Sequence, residues 1–379
     1  MRVIHTHVDK HNVIWKEILY SQYLSALLAK KHYGNITFIG TPELIKQVTD
    51  IGIPYNITLD NIVSLDDFST WSVPKLKAFE AINEPFLHID NDTFIIDKID
   101  FKKFKKPFLF SHPDMALKGF GNKYHTNITS LVNSFETPNP DEKGNDFYFD
   151  INNTYLRLFF KLINTYPPHV LRTFDLKSIP NMNMVYVEDY TTFNNTASET
   201  LSHYYSNRHI IDKEEYGPCY IEQLMLHQLL RCNSQEYNHD SAKLNHTIFS
   251  SLPFSQKDPH NNVPSIDNVQ FPFRGTLISN CKCCNKTHKE DINIESKKDL
   301  VEFLDYDFNG FLHSTYLKWY DIFQAWTIHQ LRNKIGDDEI RHIHNYFKKP
   351  YKRLKLPIKS GGEKLYEELT GFSFNKDLY

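Results

Sequence analysis

The chain has 379 residues, a formal net charge of −3, and 14% aromatic residues, with 28 Phe and 22 Tyr carrying much of the apolar area. That length supports a sizeable core, as one large α/β domain with additions or as two smaller domains. The near-neutral charge excludes the basic footprint of a dedicated nucleic-acid binder, and five Cys are too few for a disulfide framework in a chain of this size.

The start, Met1-Arg-Val-Ile-His5, lacks the long apolar stretch of a secretory signal, and no apolar run reaches bilayer length. The expectation is therefore a reducing, cytoplasmic setting. Asn-x-Thr triplets such as Asn35-Ile-Thr37 then reflect an Asn-rich composition rather than glycosylation. Arg2 to His5 reads as a short strand. Ile18, Leu19, Tyr23, Leu24, Leu27 and Leu28 show helical spacing within Trp15 to Tyr33, and Gly34 follows as a stop signal. Ile36 to Ile39 reads as a second strand, Pro42 to Val48 as a second helix, and Tyr55 to Ile62 as a third strand region. This βαβαβ rhythm predicts a largely parallel sheet whose ligands bind outside the carboxyl ends of the strands. Trp71 to Phe79 reads as a helix with Pro74 in its first turn. Its Lys75 and Lys77 are either solvated or, as point charges, contacts for a phosphate.

Phe86-Leu-His-Ile-Asp90-Asn-Asp92-Thr-Phe-Ile-Ile96 is an apolar run broken by two carboxylates. Burying an unpaired carboxylate is unfavourable, so the pair belongs at a strand end, paired, hydrated or on a cation. Residues two apart on a strand share a face, which lets Asp90 and Asp92 reach one divalent ion. Asp-Asn-Asp-Thr is equally good turn chemistry.

Further on, Pro107 to Phe110 reads as a strand and 113–150 as loop and short helix over the sheet. Asn152 to Tyr166 reads as a helix closed by Pro167-Pro168, and Ile179 to Asp189 as a strand-like run with polar residues at its start. Tyr216 to Leu230 is a helix whose start is marked by Gly217 and Pro218. Glu222 falls in its first turn, where the helix dipole alone favours an acid. Residues 233–300 look irregular and hold Cys281, Cys283, Cys284 and His288, which suit either a zinc site or a hairpin with free thiols. Phe311 to Trp319 leads into an aromatic-rich helix through Leu331. The tail from Lys348 to Lys364 is basic, a solvated end or a weak contact for anionic lipid.

In layout, roughly residues 1 to 330 resemble the GT-A nucleotide-sugar glycosyltransferases, especially glycogenin-like retaining enzymes and their capsule and lipopolysaccharide relatives. The resemblance implies a Rossmann-like, mixed but mostly parallel sheet between helices. In it, 1–100 would form the nucleotide-binding half, 101–330 the acceptor half with the insert at 233–300, and 331–379 a helical, basic extension. Leu87-His-Ile-Asp90-Asn-Asp92 looks like the family's Asp-x-Asp motif, which holds Mn²⁺ or Mg²⁺ against the donor diphosphate. Lys75 stands where relatives carry a basic residue, Asn181-Met-Asn183 looks like the strand that touches the donor sugar, and Glu222-Gln223 resembles an Asp-Gln pair near the reacting centre. His313 with Lys318-Trp319 resembles a late His-x-x-Gly-x-x-Lys-Pro-Trp element, in which His completes the metal shell and Lys meets the phosphates. Here the middle Gly and the Pro are absent, and Lys318 is one residue too close to His313.

The resemblance thus implies a metal-dependent glycosyltransferase, retaining rather than inverting, taking a nucleotide-sugar donor such as a UDP-sugar and a glycan, lipid-linked or protein acceptor. Asp90, Asp92 and His313 would bind the metal, Lys75 or Lys318 the phosphates, and Asn183 and Glu222 the donor sugar. No nucleic-acid partner is expected, and the basic tail allows a peripheral contact with the inner membrane face. The alternatives are a non-catalytic binding protein on a degenerate transferase scaffold and a metal-dependent phosphoryl hydrolase, which uses paired carboxylates equally well.

Overall fold

The computed structural model describes residues 1–66, 71–110, 157–166, 168–172, 182–214, 217–234, 246–251, 273–280, 287–306, 308, 310–313, 321–355 and 361–375. The first half follows the expected rhythm. Strand β1 (Arg2–Thr6) leads into helix α1 (Lys16–Tyr33), then β2 (Ile36–Ile39), α2 (Pro42–Ile51) and β3 (Ile57–Leu59). Gly34 closes α1 at φ 81°, in the region that favours glycine. Thr41 caps α2 by accepting the Leu44 N–H, with Pro42 at the first helical position. The β3 strand keeps only Ile57 to Leu59 of the longer run expected at Tyr55 to Ile62.

Helix α3 (Ser72–Ala81) returns the chain to β4 (Phe86–Ile89). The apolar run around Asp90 and Asp92 is not one strand. It divides into β4 and β5 (Thr93–Ile95), with a turn between them closed by the Thr93 N–H on the Asp90 carbonyl at 3.0 Å. The two carboxylates therefore flank a turn instead of sharing a strand face, and β4 and β5 belong to different sheets.

Strands β6 (Phe108–Phe110) and β7 (Met184–Val187) complete a six-stranded sheet of order β3-β2-β1-β4-β7-β6. The β3-β2-β1-β4 part is parallel, while β7 runs antiparallel to both β4 and β6. Alternation along each strand divides the core in two. Val3, Phe38, Leu87 and Tyr186 face α1 and α2, whereas Ile4, Ile39, Phe86 and Val185 face α3 and the two helices that follow β7. The fold is thus α/β, with a mostly parallel mixed sheet between helices.

The first of those helices, α4 (Tyr190–Ile211), corresponds to no element expected from the sequence. Asp189 caps it by accepting the Thr192 N–H, but its Thr, Asn and Ser content hides the buried stripe of Phe193, Ala197, Leu201 and Tyr204. The second, α5 (217–233), begins at Gly217 as expected but passes through a π-helical segment, Tyr220–Met225, before Leu226–Asn233. Within the expected helix from Asn152, the described part is helical over 157–162. Pro168 opens a further short helix, Pro168–Arg172, where the chain was expected to break.

The stretch at 233–300 contains more order than its sequence suggests. Strands β8 (His246–Ser251), β9 (Phe273–Asn280) and β10 (Thr287–Ile294) join β11 (Phe311–His313) and β5 in a second sheet of order β10-β9-β8-β11-β5. Ser296 and Asp299 form a reciprocal cap on helix α6 (Lys297–Leu304). Cys281, Cys283, Cys284, Lys318 and 113–150 lie outside the described residues.

Helix α7 (Asp321–Ile335) runs across the boundary expected at 330, and with α8 (Asp337–Arg353) and α9 (Gly361–Thr370) it shares the core cluster of α1. The basic tail is thus largely folded: Tyr351 and Glu363 are buried, and Lys16 Nζ of α1 meets Glu363 Oε2 at 3.0 Å. Among the described residues, no helix is long and apolar enough to cross a membrane.

Candidate functional site

The chain builds β2 and β3 on one side of β1, then crosses to place β4 on the other. A crevice opens at such a reversal, outside the carboxyl ends of the two central strands. Those ends are Thr6-His7 after β1 and Asp90-Asn-Asp92 after β4. They meet directly, with Asn91 Nδ2 at 3.4 Å from His7 Nδ1 and His88 Nε2 at 3.3 Å from Thr6 Oγ1.

Because α3 starts at this edge, Lys75 in its first turn points at the Asp90 turn. It is neither solvated nor open to a phosphate. It is 5% exposed, and its ammonium donates to Asp90 Oδ1 at 2.7 Å, to Glu222 Oε1 at 2.6 Å and to the Met182 carbonyl at 2.8 Å. Glu222 reaches it from the π-helical segment of α5, which gives this acid a tertiary partner beyond the helix dipole. Burial alone would lower the Lys75 pKa, but Asp90 and Glu222 outweigh it and raise it, so the lysine stays charged.

Asp90 is pushed up from the ordinary carboxylate range by its depth, against the pull of Lys75 and with the help of Glu222 and Asp92. It remains the most open member of the cluster, with 35% of its side chain exposed. Burial, Lys75 and His5 hold His88 well below the usual imidazole range, so it stays neutral beneath the turn, its Nδ1 at 4.0 Å from Asp90 Oδ1.

Asp92, 3% exposed, turns the other way. The β11–β5 register sets His313 opposite Thr93, which brings His313 Nε2 to 3.8 Å from Asp92 Oδ1. The second sheet thereby delivers a residue 221 positions later in the chain to the same turn. Asn183, expected on the donor sugar, is buried as a support: its carbonyl accepts the Asp90 N–H at 2.8 Å, and its amide donates to Thr93 Oγ1 at 3.4 Å.

The structure thus brings together Lys75, Asp90, Asp92, Glu222, Asn183 and His313. A family described only as one of unknown function, DUF6734, matches residues 7–143. That match includes Lys75, Asp90 and Asp92 and stops short of Asn183, Glu222 and His313. No curated protein matches the chain.

The donor set suits a hard divalent cation, with two carboxylates and one imidazole. Neighbouring donors on an octahedral ion with ligands at about 2.1 Å lie about 3 Å apart, and opposite ones about 4 Å. The 3.8 Å between Asp92 Oδ1 and His313 Nε2 lies between those two values, so seating such an ion requires a shift of a few tenths of an ångström or more in either side chain. Among the described residues, no three His, Cys, Asp or Glu side chains are already gathered as a metal site, because Asp90 is turned onto Lys75. A cation bridging all three residues would require Asp90 to rotate toward Asp92.

Sequence reasoning missed the residues beneath the turn: His5, Ser25, Tyr55, His88 and Thr93. The available signal was a histidine inside each of two apolar strands, His5 in β1 and His88 in β4, both fully buried.

Proposed function

We propose that the chain is a divalent-cation-dependent glycosyltransferase of GT-A architecture, transferring a sugar from a nucleotide diphosphate to an acceptor hydroxyl. One observation carries this reading. At the carboxyl ends of β1 and β4, Asp90 and Glu222 share the one ammonium that the described residues bring there, Lys75, while Asp92 on the same turn faces His313 from a separate sheet. Excess negative charge at the place where open α/β sheets bind nucleotides suits a cation that in turn binds phosphates.

In the reaction, the anomeric carbon exchanges its bond to a diphosphate oxygen for a bond to the acceptor oxygen, and the acceptor's proton passes to the departing diphosphate oxygen. A bound Mn²⁺ or Mg²⁺ would supply charge stabilisation for the departing diphosphate, held by Asp90, Asp92 and His313. Lys75 stands between Asp90 and Glu222 and shares its one positive charge with both. A carboxylate paired to a lysine at 2.6 Å is a poor general base, which favours retention over inversion with Glu222 as base.

The test is a thermal-shift panel of nucleoside-diphosphate sugars with and without Mn²⁺, followed by product analysis of any donor found. A donor that raises the melting temperature only with Mn²⁺ and then yields transferred sugar supports the reading. Release of inorganic phosphate without sugar transfer favours the phosphoryl hydrolase, and no response to any nucleotide overturns the proposal.

A further inference from the structure

Thr93 is where the parts of the site converge. Its N–H closes the turn on the Asp90 carbonyl, its hydroxyl meets Asn183, and its strand register sets His313. Its own carbonyl is held from below by Ser25 Oγ at 2.5 Å. Ser25 lies 3.2 Å from His5 Nε2, His5 Nδ1 lies 2.8 Å from the Tyr55 hydroxyl, and Gln22 Nε2 donates to that hydroxyl at 2.8 Å. These groups come from α1, β1 and the loop before β3.

The polarity of this chain follows from its last member. A carbonyl only accepts, so the Ser25 hydroxyl must give its proton to Thr93 and accept from His5. His5 is then the Nε2–H tautomer, and its bare Nδ1 accepts from Tyr55, whose oxygen accepts from Gln22. Reversing any link leaves the Thr93 carbonyl without this donor. Burial pushes the His5 pKa down to about 3 and the Tyr55 pKa upward, so both stay neutral and no charge competes with the arrangement.

We infer that His5 is a positioning residue: through Ser25 it fixes Thr93, and so sets the spacing of Asp90, Asp92 and His313. Its relevance to cation binding rests on the proposed function, but the positioning itself is tested on cation-free protein. In the unaltered protein, ¹⁵N spectra should show a neutral Nε2–H ring for His5. Amide hydrogen exchange at Asp90 and Thr93 should accelerate about ten-fold in Ser25→Ala and in His5→Leu, and return close to the original rate in His5→Gln, whose amide nitrogen can replace the Nε2–H donor.

Mn²⁺ titration then reads the consequence. Affinity should fall about ten-fold or more in Ser25→Ala and His5→Leu and recover in His5→Gln, the range typical of groups that orient metal ligands. If His5→Leu does not fold, Ser25→Ala breaks the same chain without altering β1. An Nδ1–H tautomer, or exchange at Asp90 and Thr93 unchanged in Ser25→Ala, overturns the inference. Failure of the unaltered protein to bind Mn²⁺ while the exchange effects hold counts against the proposed function alone.

Discussion

Two buried lysines of this protein stand between acids, and they solve the same problem differently. Lys16 joins Glu363, whose other oxygen accepts from the Tyr20 hydroxyl at 2.8 Å and lies 3.1 Å from His344 Nδ1, and the whole group is sealed between α1, α8 and α9. Lys75 joins Asp90 and Glu222 at the sheet edge, with Asp92 close behind and Asp90 open to water. Each region also carries an acid that its neighbours do not neutralise.

In the sealed region that acid is Asp321, 3% exposed, whose two oxygens have no hydrogen-bond partner among the described residues. It sits so close to the start of α9 that a Cβ at Gly361 would overlap its carboxylate, which explains a glycine there. Burial pushes the Asp321 pKa up to about 7, against the pull of Lys16, so the carboxyl takes a proton more readily than an exposed one. Asp90 is pushed the same way, but its side chain is 35% exposed at the sheet edge, and under the proposed function it exchanges that proton for a metal ion. A buried lysine between acids is therefore not by itself a mark of function; access to the uncompensated acid makes the difference.

The largest expected effect breaks the open region alone. Asp92→Asn should lower sugar transfer by two to three orders of magnitude, about 3 to 4 kcal/mol of transition-state stabilisation, while leaving the melting temperature without metal within a few degrees; product formation and calorimetry check both parts. Next come the two lysines. Lys75→Met and Lys16→Met each leave buried acid uncompensated and should each cost about 3 kcal/mol in urea unfolding. Mn²⁺ should restore part of the loss in Lys75→Met and none in Lys16→Met. Equal restoration, or none in either, would erase the distinction drawn between the two regions.

The sealed region also predicts two opposed pH limits. Asp321 has a folded pKa raised to about 7 from 3.8, so its stabilising contribution is complete below about pH 4 and is lost as pH rises through 7. Glu363 behaves the opposite way. Burial pushes it up, but His344 and Lys16 pull it down to about 2 from 4.5, so its contribution is present above about pH 4.5 and fades as pH falls toward 2. Melting temperature in the original protein should fall between about pH 4.5 and 7 and level off above that, and Asp321→Asn should flatten part of that slope. The smallest effect is that of Tyr20→Phe, which removes one hydrogen bond to Glu363 and should lower stability by about 1 kcal/mol or slightly more in urea unfolding.

Much of the parallel half of the fold was legible because its strands are continuous apolar runs and its helices carry their own caps and stops, Thr41, Pro42 and Gly34 among them. The α4 helix was not, because Thr, Asn and Ser dominate its surface and its packing against α3 and α5 is what explains it. At the site, Asp90 and Asp92 stood out as charges in an apolar run. Their placement on a turn between two sheets depended on β5 pairing with β11, a contact over 200 residues apart that no local pattern encodes. Lys75 was misread as solvated or phosphate-facing for the same reason: its partner Glu222 lies 147 positions away.

The most direct measurement is a Mn²⁺ titration followed by electron paramagnetic resonance, with and without a nucleoside diphosphate, on the unaltered protein and on Asp92→Asn. The account predicts one Mn²⁺ site in the unaltered protein, strengthened by the nucleoside diphosphate and absent in Asp92→Asn. A free-ion signal that the unaltered protein leaves unchanged, or a site that persists in Asp92→Asn, would contradict it.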